Sequence, residues 1–353
     1  MKERKILSVI IAAYNMEAYL PRCLESLLVA DARLLSLLEV LVVNDGSKDR
    51  TSEVAHAFAA KHPDVIRVID KENGNYGSCI NRGLDEATGV FVKCLDADDW
   101  FDTAVFEKYL AFLEPLAAQA DGPDLIVNDY AMVDEADKVV LLGSYADCAA
   151  ADFTLARFMT HFIGALVMHA VAYRTERVRA LGYRQSEGIS YTDNEWVFCP
   201  LATVRSFAYF PNGVLYRYWV GREGQTMESA VILKNYWMLL RIAERMVAWR
   251  TAHRAEFAEE NRRYLDLRAA LCVYMVFRTW LVNASLPRIG ADDIARLDEA
   301  LERDVPDVDA AFREFGRARR WIKAYVRLWR RHRANPFFKP LDRLVRRALR
   351  AKA

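Results

Sequence analysis

Short apolar runs alternate with amphipathic stretches through the first hundred residues. Ile6-Leu7-Ser8-Val9-Ile10-Ile11-Ala12-Ala13 is β-branched and apolar on both faces, the pattern of a strand inside a parallel sheet. Leu20, Cys23, Leu24, Leu27 and Leu28 then recur at helical spacing. Val40–Val43 predicts a second strand, Thr51–Lys61 a helix capped by Ser47 or Asp49, and Val65–Ile69 a third strand. A two-glycine loop, Asn73–Gly77, precedes a helix over about 78–87. Val90-Phe91-Val92-Lys93-Cys94-Leu95 is a fourth strand and stops on Asp96-Ala97-Asp98-Asp99, three carboxylates in four residues. This βαβ repetition implies a parallel sheet with right-handed crossovers.

Further on, the pattern predicts a helix over 103–118, a strand over 125–130 and an edge strand over 138–142. A helix and then a strand are expected within 153–172, where His161 and His169 read as hydrogen-bonded packing residues rather than bases, and another helix begins near Asp193. From 232 to 282 the chain reads as helix. Leu233, Tyr236, Trp237, Leu240, Ile242 and Met246 form one apolar stripe, and Leu265, Ala269, Cys272, Met275, Val276 and Trp280 another. Arg317–Arg333 and Leu341–Arg350 read as two basic amphipathic helices.

Strand ends matter because ligands of parallel α/β sheets bind beyond the carboxyl ends of the strands. Three of the first four strands end on polar side chains: Tyr14/Asn15, Asp45 and Asp96/Asp98. Clustered carboxylates repel unless a cation sits among them, and Mg²⁺ or Mn²⁺ with a substrate diphosphate suits that setting. The competing reading of the aspartates is an acidic turn that caps the next helix. Neither G-x-G-x-x-G nor G-x-x-x-x-G-K-[ST] follows the first strand, which argues against a dehydrogenase-type dinucleotide site and a P-loop.

Four segments in order and spacing resemble the family-2 glycosyltransferases of the GT-A fold. They are Ser8–Asn15, Val42-Val43-Asn44-Asp45-Gly46-Ser47, Asn81-Arg82-Gly83-Leu84 with Ala87-Thr88-Gly89, and Leu95–Asp99. The resemblance is strong over about 5–110, weaker to about 225 and absent from the tail. It implies a Rossmann-like, mixed but mainly parallel sheet flanked by helices, with a C-terminal helical extension. The catalytic domain would be residues 1–228, with a nucleotide-sugar half to about 110 and an acceptor half from 111. A helical region, 229–315, and a basic tail, 316–353, would follow.

Carried over residue by residue, the resemblance makes Asp45 the reader of the base, which suggests a UDP-sugar. Tyr14 would stack near that base, Asp96 would lie by the ribose and diphosphate, and Asp98 would hold Mn²⁺ or Mg²⁺. The family usually places a Glu-Asp pair where this chain has Thr192-Asp193, so Asp193 maps to the base of an inverting transfer. Gln225 and Thr226 could donate to phosphate oxygens. Glu17, Asp99, Glu195 and Arg222 are supporting candidates. The chain departs from the pattern at Asn44, where an aspartate is usual, and at Ile80, where an arginine is common. The implied reaction is transfer of one sugar to a hydroxyl of a glycan or lipid-linked glycan. The rivals are a sugar nucleotidyltransferase, which would want a basic Gly-rich loop after the first strand, and a non-catalytic glycan-binding scaffold.

Charge sharpens the picture of the tail. The 353 residues sum to only +1, but residues 316–353 hold fourteen Lys/Arg against one acid, and the remainder carries −12. Basic amphipathic helices with tryptophan bind membrane surfaces. The rivals are docking onto an acidic protein surface and binding nucleic-acid phosphate, the latter disfavoured beside such a catalytic domain. The opening segment turns polar too soon for a signal peptide and no window is apolar enough to span a bilayer. A cytoplasmic protein, peripheral on the inner face of the cell membrane, is expected. Six scattered cysteines without CxxC argue against structural zinc and a disulfide framework.

Overall fold

The fold was taken from a computed structural model, which describes residues 4–162, 164–221, 229–253, 257–283, 286 and 288–350. The chain divides into two compact units, residues 1–223 and 224–353.

The first unit is built on one mixed sheet. Its strands are β1 (Leu7–Ala13), β2 (Leu38–Asn44), β3 (Ile66–Asp70), β4 (Phe91–Asp96), β5 (Trp100–Phe101), β6 (Leu125–Val133), β7 (Val139–Gly143), β8 (Val171–Arg174) and β9 (Phe207–Trp219). The order is β3-β2-β1-β4-β8-β6-β9-β5, with β7 paired to β6. The first four positions are parallel, and β8 joins β4 and β6 antiparallel. Helices α1 (Leu20–Glu25), α2 (Ala32–Ser36), α3 (Thr51–Lys61), α4 (Asn75–Glu86), α5 (Thr103–Ala117), α6 (Leu155–His161), α7 (Thr175–Ala180) and α8 (Asp193–Trp196) connect the strands.

Burial explains the order. Every residue of β2 is buried and β1 has one partly exposed position, as strands covered on both faces should be. Helix α4 lies so close to β1 that a β-carbon on Gly83 would come 2.5 Å from Ile10 Cγ2. Only glycine permits that approach. The expected boundaries hold within a few residues, with one correction: α4 begins at Asn75, not near Ser78, so the two-glycine loop is largely helical. Asn75 opens it at φ +69°.

The second unit is helical: α9 (Ser229–Ala252), α10 (Glu259–Val282), α11 (Ala291–Asp304), α12 (Pro306–Ala311), α13 (Arg317–His332) and α14 (Lys339–Arg350). Helices α9, α12, α13 and α14 all pack on α10. The expected stripes are corrected at two places, since Leu233 and Met275 are 37% and 45% exposed. With neighbours on several sides, α10 buries Tyr264, Leu267, Ala270, Val273 and Phe277 as well as Leu265, Ala269 and Val276, so a single stripe does not describe it.

The basic helix α13 is held by charge. Lys323, 5% exposed, bonds to the fully buried Asp298 and reaches Asp309 at 2.9 Å. Arg330 Nε meets the other Asp298 oxygen at 2.8 Å, and Arg327 meets Asp309 at 2.6 Å. Arg331 pairs with Glu302 and Arg333 with Asp292. No described helix is long and apolar enough to cross a membrane.

Removing one member of a buried ion cluster strands the others. Asp298→Ala is therefore expected to lower stability by about 3–5 kcal/mol in chemical denaturation. The triple change Asp298→Leu, Lys323→Met, Arg330→Leu should recover most of that loss.

Candidate active site

The carboxyl ends of β1, β2 and β4 lie level. Ala13 is in register with Asn44, and Ala12 with Asp96. The residues that follow therefore share one edge of the sheet. Asp45 N donates to Ala13 O at 2.9 Å, which fixes the β2 end against the β1 end.

On one side of this edge is an open cleft of about 510 Å³ lined by Tyr14, Asn44, Gly46, Lys48, Lys71 and Asn73, among others. Tyr14 is 43% exposed, so it is not a core residue. Asp45 lies beneath and does not cap α3. Its Oδ1 accepts from Lys71 Nζ at 2.6 Å and from Gly74 N at 2.9 Å, while Asn73 Nδ2 donates to its carbonyl. Its carboxylate thus anchors the β3–α4 loop. Glu17 stitches the loops after β1 and β2, accepting from Arg50 N at 2.8 Å and donating its own amide to Asp49.

At the β4 end the three aspartates separate into different settings. Asp99 is buried and fully engaged, with Oδ2 accepting from Tyr216 Oη and Oδ1 from Trp219 N, both at 2.8 Å. Burial, then the charges of Asp98 and Asp96, push its carboxyl well above the usual range. Tyr216 Oη also accepts from Asp96 N at 3.1 Å, so one phenol spans both ends of the acidic turn. Among the described residues, Asp96 Oδ1 is buried without a hydrogen-bond partner, and so is His169 Nδ1. His169 Nε2 lies 3.8 Å from Asp96 Oδ2, and its ring stacks on Tyr218 at 4.6 Å. Ligand-capable atoms of Asp96, Asp99 and His169 fall within 4.8 Å of one another. Of these, Asp96 with its buried Oδ1 and the His169 imidazole are donors that fit a divalent cation, while both Asp99 oxygens are already engaged. Asp98 is not in that triplet. It lies close enough to raise Asp99, Cys23 and Tyr218 by its charge.

His169 is itself held from below. Lys93 is completely buried and has no ion pair among the described residues; its Nζ donates to Asn128 Oδ1, His169 O and Val171 O at 2.8, 2.9 and 3.2 Å. Asn128 Nδ2 donates to the same His169 carbonyl. Burial pushes the Lys93 ammonium down to about 7.

Asp193 opens α8 and is partly exposed. Its loop is clamped to α4. Asn81 Nδ2 donates to Gln185 O and Glu187 Oε1, and Asn81 Oδ1 accepts from Gln185 N. A β-carbon on Gly77 would lie 1.9 Å from Ser186 O, so α4 and this loop touch backbone to backbone. Glu195 is buried and accepts from Ser186 N and Ser186 Oγ at 2.7 and 2.8 Å. That makes it a brace for the loop that carries Asp193. Burial is the main reason the phenols of Tyr76 and Tyr218 are held above their usual range. Asp96 and Asp193 both add to it, so the two carboxylates act on one volume. Arg222, Gln225 and Thr226 lie outside the described residues.

Residues 8–130 match the family described as Glycosyl transferase family 2. They belong to the family-2 glycosyltransferases. Over 103 residues the chain is 37% identical to the uncharacterized glycosyltransferase EpsJ of Bacillus subtilis, covering 29% of each chain. Over 107 residues it is 34% identical to the minor teichoic acid biosynthesis protein GgaB of the same organism, covering 30% of this chain and 12% of that one. The chain spans about a third of the length, or less, of such curated relatives. Among solved structures, Staphylococcus aureus TarS 1–349 in complex with UDP-GlcNAc superposes with a TM-score of 0.66 at 20% identity, over 92% of this chain and 89% of that one. The fold is GT-A.

Within the family-2 glycosyltransferase domain, the structure brings Tyr14, Asp45, Asp96, Asp98 and Asp99 to one edge and Asp193 to its neighbourhood. Sequence reasoning passed over Lys71, Lys93 and Tyr216, and took His169 for a packing residue. A lysine inside an apolar strand is the one signal that pointed to Lys93.

Two outcomes follow from this geometry. Tyr216→Phe removes partners of Asp96 N and Asp99, and should cost about 1–3 kcal/mol in denaturant unfolding. For Lys93, the folded value of about 7 lies below its ordinary 10.5. The unfolded chain therefore binds more protons between those pH values, and wild-type stability gains as pH rises through that window. Melting curves should show wild type improving relative to Lys93→Met from pH 7 to 10, and a flat difference would contradict the buried-lysine account.

Proposed function

We propose that the chain is a metal-dependent, inverting glycosyltransferase. It moves a sugar from a UDP-sugar to a hydroxyl of a glycan or lipid-linked glycan, in synthesis of a cell-surface polysaccharide or glycolipid. The observation that carries this reading is that the cleft over Asp45 and the acidic end of β4 share one sheet edge, with the loop before Asp193 clamped to α4 beside it. The UDP-GlcNAc complex of TarS and the teichoic acid role in GgaB's name agree with it.

In this reading Tyr14 packs by the base, and Asp45, fixed by Lys71, reads it. Asp96 sits by the ribose and diphosphate. Asp98, with Asp96 and His169 at hand, would hold Mn²⁺ or Mg²⁺, which supplies positive charge to the departing diphosphate. Asp193 takes the proton of the acceptor hydroxyl as its oxygen bonds to the anomeric carbon. The bond from that carbon to the diphosphate breaks with inversion. Asp99 and Glu195 position the two halves of the site, and Arg222, Gln225 and Thr226 donate to phosphate oxygens. The basic segment 316–353 keeps the enzyme at the inner face of the cell membrane, near a lipid-linked acceptor.

Calorimetry with UDP, GDP, CDP and TDP, with and without Mn²⁺, tests the donor half. UDP should bind best, need the ion, and lose it in Asp98→Ala. Binding of no diphosphate in either condition would sink the transferase and favour a non-catalytic glycan-binding scaffold. For the acceptor half, Asp193→Asn should lower kcat by about 10²–10⁴ while leaving UDP affinity nearly unchanged.

A further inference from the structure

The basic tail does not behave as one surface. On α13 the inward bases are spent: Lys323, Arg327 and Arg330 all pair with acids of α11 and α12, as does Arg331 at the rim. Helix α14 differs. One face rests on α10, where Arg346 lies over the Trp280 ring at 3.9 Å and donates to its carbonyl, and Arg350 donates to Val282 O. Arg346 also takes up the tail's single acid, Asp342.

The opposite face is bare. Leu341, Leu344 and Ala348 follow one another at helical spacing and are all exposed, Leu344 by 65%. Phe337, just before the helix, is 89% exposed. Beside this stripe runs a second row, Lys339, Arg343 and Arg347, four residues apart and exposed. No hydrogen bond or ion pair to these three is found among the described residues. α13 also leaves Trp321 and Leu328 partly exposed, at 44% and 43%, less than Phe337 or Leu344.

A protein surface of ordinary composition has no need for a wholly exposed phenylalanine and two half-exposed leucines in one line. A row of cations beside that line fits a surface that is apolar within and anionic at its rim. That is the chemistry of a bilayer with acidic headgroups. We propose that residues 337–350 are the membrane-contacting element, lying in the headgroup region with Phe337, Leu341 and Leu344 inserted, and Lys339, Arg343 and Arg347 on lipid phosphates and carboxylates. The inference deepens the membrane placement proposed above and assigns it to α14, leaving α13 as an internal clamp.

The test is co-sedimentation of the full chain with vesicles of phosphatidylcholine carrying about 30% phosphatidylserine, and with phosphatidylcholine alone. Wild type should bind the anionic vesicles and release them as salt rises. Arg343→Glu/Arg347→Glu and Leu341→Ser/Leu344→Ser should each lower partitioning about tenfold or more. Their melting curves should stay close to wild type, since both leucines are exposed and neither arginine has a hydrogen bond or ion pair among the described residues. If wild type binds and both double variants bind as tightly, the assignment to α14 is wrong while the membrane placement stands. If wild type does not bind anionic vesicles, both fail. A variant that turns a dimer into a monomer, with no vesicle binding by wild type, would assign the face to a second copy and overturn the proposal.

Discussion

Three carboxylates within four residues, next to a buried strand end, are the constraint that the catalytic unit is arranged around. Like charges at that spacing destabilise a fold unless each has its own answer. Asp99 is answered inside the protein, by the Tyr216 phenol and the Trp219 amide. Asp96 is answered only in part, since one oxygen has no partner. The long strand β9 exists in this position to deliver those two donors. Through it, the distant end of the sheet fixes the acidic turn. Lys93 and Asn128 do the same for His169 from beneath. The acidic turn is thus tied down by hydrogen bonds while one carboxylate oxygen has no partner among the described residues, a combination that suits a ligand-binding carboxylate.

The parallel half of the sheet was open to sequence reasoning because local pattern and tertiary setting agree there. β1, β2 and β4 are buried on both faces and look it, and the polar residues ending them could be placed on one edge before any coordinates. Asp45 illustrates the limit of that reasoning. Its position followed from the strand end, but its partner Lys71 lies 26 residues away, on a loop with no periodicity to read. The nearness of His169 to the acidic turn was hidden for a related reason. A histidine in an aromatic stretch gives no sign of its neighbours, and only the β8 crossing beside β4 brings it to Asp96. The stripe assigned to α10 failed in a third way, because a helix surrounded by four others has no single buried face.

Charge bookkeeping along the sequence was correct in sum and misleading in detail. A tail of net +13 suggests one electrostatic object. Folded, it becomes two. The first helix meets Asp298, Glu302 and Asp309, supplied by a segment the hydrophobic pattern had not singled out, and its field is largely cancelled. The second keeps its field.

That division has a practical consequence for anyone shortening the protein. Cutting the chain after Phe315 would remove a polybasic segment, but it would also leave Asp298, at present without any solvent contact, facing the gap where Lys323 and Arg330 had been. The truncated protein would then carry several acids brought together for cations that no longer exist, along with an uncovered side of α10. Poor solubility of such a fragment would reflect this loss of internal neutrality and say nothing about lipid.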